Sequence, residues 1–255
     1  MLATACSHDP TKDYHERSVA QLYDEGMGYL TQKQYRYAAS SFDEVERQHP
    51  YSEWARKGEL MAAYSYYMAN KYDDAVLAAD RFITLHPGSK EAPYAYYLKA
   101  ICYYEQISDV GRDQKMTEQA LNALEDLVRR YPDSVYAKDA RLKIDLTRDH
   151  LAGKDMEIGR LYEKAGQYLA AAQRFQRVVD KYQTTTHVPE ALERLVECDL
   201  ALGMTTDAKQ VAAVLGYNYP TTDWYKYAYN LLKNRRLVSV EKPESWLTRT
   251  WHSVF

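Results

Sequence analysis

The 255-residue chain carries 33 basic and 36 acidic residues, a formal charge of -3, so it lacks the broad cationic field that phosphate backbones require. With 46% apolar residues, a mean hydropathy of -0.62 and no apolar run near about 18 residues, it offers no helix able to span a membrane. Ten Gly, eight Pro and no strictly alternating segment favour an all-α chain, and 25 Tyr against four each of Phe and Trp set its surface chemistry apart.

The chain opens with Leu2-Ala3-Thr4-Ala5 before Cys6, followed by a polar stretch, SHDPTKDYHERS, that cannot pack. A short apolar run ending in cysteine resembles a bacterial lipobox, although Ala3 stands where Leu is usual. Residues 1–6 are accordingly expected to be a signal remnant ending at the anchor cysteine, and 7–17 a linker.

From residue 18 a pattern of the form Tyr-x-x-Ala-x-x-x-(small or Phe) recurs five times. The first copy holds Gly26, Tyr29, Tyr35, Ala38, Phe42 and Pro50, and the second Ala63, Tyr66, Tyr72, Ala75, Ala79, Phe82 and Pro87. The third has Ala100, Tyr103, Ala120, Leu124 and Pro132, with an insertion around Ile107 to Lys115. The fourth has Gly159, Tyr162, Tyr168, Ala171 and Phe175, and the fifth Val196, Ala208, Ala212 and Pro220. Small residues let antiparallel helices approach, and proline ends the second helix of each pair. The pattern predicts a tetratricopeptide-type solenoid of about five helix pairs.

Between Asp133 and Gly166 only Gly153 interrupts the pattern, which predicts one long helix. Residues 18–132 and 133–237 then form N-terminal and C-terminal halves, closed by a capping helix over Asp223–Leu232. The tail, 238–255, carries Trp246, Leu247, Trp251, Val254 and Phe255 and reads as an apolar stripe for membrane, partner or last repeat.

The register places Tyr23, Met27, Tyr64, Tyr67, Met68, Tyr94, Tyr97 and Tyr104 on a concave aromatic surface of the first three pairs. In the last two it places Met156, Arg160, Glu163, Lys164, Glu190, Glu193 and Glu197, a charged one. The alternative for each tyrosine is packing between repeats. Lys and Asn, needed for a chaperone-type carboxylate clamp, are replaced by Tyr23 and Met27. Cys102 and Cys198 share a register position with Gly28 and Ser65 and are expected as buried free thiols. His49 and His86 share another, before the prolines. No metal-ligand spacing, phosphate loop or nucleophile constellation stands out, so neither a cofactor, a metal nor catalysis is expected.

The segments FDEVERQHPYS, AADRFITLHPGS, LVRRYPDSVYAKDA and DHLAGKDMEIGRLYEKAGQYLAAAQRF, with Cys6 and the insertion, resemble the BamD family. QTTTHVPEALERLVECDLALG and VLGYNYP resemble its alphaproteobacterial branch. That resemblance implies a non-enzymatic lipoprotein of the outer-membrane β-barrel assembly machinery, anchored through Cys6 at the periplasmic face of the outer membrane. Its implied partners are the POTRA domains of BamA, other lipoproteins of that complex and unfolded outer-membrane proteins. Tyr23, Met27, Tyr64, Tyr67, Tyr94 and Tyr97 are the expected substrate groove. Arg160, Lys164 and Arg174 are the expected partner contact, with a solvated surface charge as the alternative for Arg174. Another periplasmic repeat adaptor, coordinating envelope synthesis or division, is the competing reading.

Overall fold

In the computed structural model, residues 16–237 are described, and they form eleven α-helices in chain order. These are α1 (Val19–Thr31), α2 (Tyr35–Gln48), α3 (Glu53–Met68), α4 (Tyr72–Leu85), α5 (Ala92–Tyr104), α6 (Lys115–Arg130), α7 (Val135–Lys164), α8 (Tyr168–Lys181), α9 (Val188–Ala201), α10 (Thr205–Asn218) and α11 (Asp223–Asn234). The helix pairs follow the predicted register, and α11 is the expected cap. The anchor cysteine Cys6 and the tail aromatics lie outside the described residues.

Each first helix stops in the same way. Lys33, Asn70, Gly166, Gly203 and Arg236 take left-handed backbone, with φ of 59°, 56°, 72°, 80° and 59°. The next residue then donates back across the turn: Gln34 to the Tyr29 carbonyl at 2.8 Å, Lys71 to Tyr66 at 2.9 Å, Gln167 to Tyr162 at 2.9 Å, Met204 to Asp199 at 2.8 Å and Leu237 to Leu232 at 3.0 Å. These are Schellman closures, which satisfy carbonyls the helix end would leave unpaired. Second helices end on His49, His86, Tyr182 and Tyr219, whose backbone N–H groups bond to Val45, Phe82, Val178 and Leu215. The side chains of both histidines add local ties: the His49 ring meets the Arg17 carbonyl at 2.7 Å, and His86 Nε2 lies 3.2 Å from the buried Glu59.

The chain divides into two compact units, one running to Glu105 together with Ala123–Lys138, the other holding Gln106–Asn122 and the chain from Asp139 onward. In unit 1, α1 to α5 pack in sequence. In unit 2, α8, α9 and α10 pack likewise, α11 lies on α9, and a single apolar core runs from Leu151 to Leu232.

The interior contacts are matched by volume. At one register position on the first helix and its counterpart on the second, the pairs are Gly26 with Phe42, Ala63 with Ala79, Ala100 with Leu124, Gly159 with Phe175 and Val196 with Ala212, all buried. A Cβ on Gly26 would stand 2.8 Å from the Phe42 ring, and one on Gly159 2.4 Å from Phe175, so each glycine yields its volume to a phenylalanine.

The long segment from Asp133 is one helix of 30 residues, unbroken at Gly153. A Cβ there would lie 3.3 Å from His187 Nε2 and 3.8 Å from Val110. The glycine therefore makes room for α9's entry and for the insertion loop of the third repeat, which Lys154 also holds through the Gly111 carbonyl at 3.0 Å. Gln114 closes that loop on itself, its amide donating to the carbonyls of Asp109, Val110 and Arg112.

Candidate functional site

In unit 1 the first helices bring tyrosines into two patches. Tyr64, Tyr66, Tyr67 and Tyr94 pack around Ala63, Ala79 and Leu98, each half-buried. Tyr97 stacks on Tyr136 at 5.1 Å between ring centroids and 27° between planes, and Tyr94 meets the same ring at 5.5 Å. Tyr23 and Met27 belong to the second patch, around Ala38, Phe42 and Ala62. There Tyr23 sits edge-on to Phe42 at 5.4 Å and to Trp54 at 4.8 Å. Each tyrosine thus packs one face between repeats and presents the remainder outward, so the two sequence readings describe different faces of the same rings. Burial pushes the hydroxyls of Tyr23, Tyr67 and Tyr94 above the usual tyrosine range, which keeps the surface uncharged.

Sequence reasoning missed Trp54 and Tyr136. Trp54 is 45% exposed with Lys57 lying 4.9 Å from its ring centre. A signal was present: Ser52-Glu53-Trp54 and Thr222-Asp223-Trp224 open α3 and α11 with the same order of cap, acid and indole, and both cap hydroxyls accept from the backbone three residues on.

In unit 2, Arg194 is shared by three carboxylates, Glu197 at 2.9 Å, Glu163 at 3.4 Å and Glu190 at 3.6 Å, and Arg160 takes Glu190 at 2.9 Å. Burial, followed by the hydrogen bond with Glu197, pushes Glu163 up to about 7; burial and the neighbouring Glu197 push Glu193 up to about 8. Arg160, Glu163, Lys164, Tyr168, Arg194 and Arg235 line a cleft of about 430 Å³. A cleft of about 420 Å³ is lined by Glu193, Glu197, Trp224, Tyr227 and Leu231.

Two expectations change here. Met156, expected on the charged concave surface, is fully buried in the core of unit 2. Arg174 is not a solvated charge and lies outside the cleft of Arg160 and Lys164: its Nη1 is 3.1 Å from Oδ1 of Asp155, a carboxylate 4% exposed, and Arg177 Nε holds the other oxygen at 3.2 Å. Cys102 and Cys198 are buried free thiols, both pushed up to about 12 by burial. Among the described residues, no group of His, Cys, Asp and Glu could hold a metal ion, and no helix is long and apolar enough to cross a membrane.

A family model described as YfiO, outer membrane lipoprotein, matches residues 15–215. The outer membrane protein assembly factor BamD of Caulobacter vibrioides is 55% identical over 234 residues, covering 92% of this chain and 77% of that protein. BamD of Rickettsia prowazekii is 49% identical, covering 85% and 86%. BamD of Neisseria meningitidis serogroup A is 32% identical, covering 89% and 90%. Among solved structures, a thermophilic TPR protein of Thermus thermophilus aligns with 84% of this chain and 100% of its own at 19% identity and a TM-score of 0.39.

Proposed function

The chain belongs to the BamD family of outer-membrane protein assembly factors, and from that premise we propose that it is a non-catalytic scaffold of the outer-membrane protein assembly complex, with separate surfaces for substrate and partner. Unfolded outer-membrane proteins are received on unit 1, along Tyr64, Tyr67, Tyr94 and Tyr97, with Tyr23 and Met27 forming the second patch. BamA, through its POTRA domains, docks on unit 2 at the cleft bearing Arg160 and Lys164, which Arg174 supports by fixing Asp155 on the same helix. Other lipoproteins of the complex are further partners. Cys6 carries the lipid that holds the chain at the periplasmic face of the outer membrane.

The observation that carries this reading is the contiguous patch of half-exposed, neutral tyrosines at Tyr64, Tyr67, Tyr94, Tyr97 and Tyr136. Such a surface offers flat apolar faces for the aromatic side chains of an extended segment, while the charges of unit 2 suit a folded surface. The test is capture from detergent-solubilised envelopes by the tagged full chain. A POTRA-bearing barrel protein is expected with wild type and with Tyr64→Ala/Tyr97→Ala, and is expected to be lost with Arg160→Ala/Lys164→Ala. Crosslinking to an unfolded barrel protein is expected to show the opposite dependence. Failure of wild type to recover any such barrel protein overturns the partner assignment, and Cys6→Ser remaining in the membrane fraction overturns the anchor.

A further inference from the structure

Unit 2 contains a buried acceptor with no donor. Glu193 is 3% exposed, lines the 420 Å³ cleft, and makes no ion pair among the described residues. The nearest guanidinium on its own helix, Arg194, is already divided among Glu163, Glu190 and Glu197. Four carboxylates therefore face two arginines, Arg160 and Arg194. A carboxylate removed from water in this way is costly unless a donor reaches it. The opposite wall of the cleft is aromatic: Trp224 and Tyr227 meet edge-on at 6.0 Å, Tyr227 is 54% exposed, and Leu231 lies beside them. A ligand complementary to this cleft presents a cation or N–H donor flanked by large apolar side chains.

We propose that the cleft is occupied in cis by residues 238–255, with Trp246, Leu247 and Trp251 packed against Trp224, Tyr227 and Leu231 and with Arg249 donating to Glu193. The chain leaves α11 at the rim of the cleft, since Asn234 is among the lining residues and Leu237 packs against the core of the same unit. At about 3.3 Å per residue the segment reaches far more than the length of the cleft from that point. Its sequence, VSVEKPESWLTRTWHSVF, holds two of the chain's four tryptophans, and its only arginine stands between them. That order, indole, guanidinium, indole, is what an acceptor walled by Trp224 and Tyr227 selects, and the indoles can stack with the guanidinium as well as with the wall. A guanidinium in contact also draws the raised Glu193 carboxyl back toward its ionised form. The contact is independent of the partner reading, and any protein reaching Glu193 has to displace the segment first.

Hydrogen–deuterium exchange on the full chain at two protein concentrations tests this, comparing wild type with Trp246→Ala/Trp251→Ala and with Arg249→Gln. In wild type, residues 245–252 are expected to exchange about tenfold slower than unstructured chain, independently of concentration and without lipid. In both variants, exchange in α9 and α11 is expected to accelerate, with α1 to α5 unchanged. Unprotected exchange of 245–252 in wild type overturns the proposal. So does protection that rises with protein concentration, which assigns the segment to a second copy, or protection that appears only with phosphatidylglycerol vesicles, which assigns it to a membrane. A variant effect on the tyrosine-bearing helices of unit 1 in place of α9 and α11 overturns it equally.

Discussion

Arg174 reaches Asp155 from the neighbouring helix at 3.1 Å, and between them Arg174 and Arg177 hold both oxygens of a carboxylate that water scarcely touches. The arginine is about one-third exposed, so it presents a guanidinium edge outward while fixing α8 to α7. Removing it leaves a buried charge with one partner in place of two. Arg174→Ala is expected to lower stability by roughly 1–3 kcal/mol in denaturant unfolding, and a double-mutant cycle with Asp155→Asn to return a coupling of at least about 0.5 kcal/mol. Zero coupling would reduce the pair to a surface contact. Loss of partner capture by Arg174→Ala is therefore informative only beside its unfolding curve.

The glycines at matched register positions separate by environment. Gly159→Ala forces a Cβ into the Phe175 ring and is expected to cost roughly 1–3 kcal/mol, with Gly26→Ala somewhat less. Gly28→Ala, in the same helix as Gly26 but with nothing within 4 Å of its Cβ, is expected to stabilise by about 0.5–1 kcal/mol. Equal effects at Gly26 and Gly28 in thermal unfolding would contradict the packing account.

The first-helix turns offer a backbone test. Lys33 holds φ 59° where Gly166 and Gly203 hold 72° and 80°. Lys33→Gly is expected to be stabilising by about 0.5 kcal/mol, and Gly166→Ala destabilising by about 1 kcal/mol, because only glycine enters this region without a steric cost. The pair of midpoint shifts, opposite in sign, is the readout.

The carboxylates of unit 2 give stability a pH slope. Glu193 is raised to about 8 and Glu163 to about 7 from ordinary values near 4.5. The folded state thus holds protons that the unfolded state has released. The stabilisation this represents is complete below about pH 4.5 and is lost as pH rises through about 8. Glu193→Gln is expected to flatten the fall in denaturant midpoint between pH 5 and 8 and to leave the mutant the more stable form at pH 8. A midpoint that rises over this interval in wild type and not in the variant would reverse the assignment.

Helix pairs, the turns that close them, the long α7 and the cap were legible because each depends on neighbours within one or two turns: a small residue, a tyrosine, a proline. Contacts made across the chain were not. Gly153 looked like a potential break, and its purpose lies in His187 and Val110, on either side of it in sequence. Met156 stands three residues before Gly159 as Tyr23 stands before Gly26, so the register gave both the same outlook. Tyr23 is long enough to emerge past the core and meet Trp54, whereas Met156 ends inside it. Arg174 was selected for its segment, but no local pattern announces that Asp155 is buried beneath it. The tyrosine surface was found through its helices, and Tyr136 was overlooked because it belongs to the start of α7, beyond the third repeat's own pattern.

The volume matching inside the helix pairs makes them non-interchangeable parts. Transplanting α9 into the place of α7's second half would bring Val196 against the Phe175 ring, a collision. The reverse exchange would set Gly159 against Ala212 and open a hole. A recombined or shuffled array therefore keeps its stability only when both members of a pair travel together. The serial order of the modules is written in side-chain bulk, in a currency of a few methyl groups per joint.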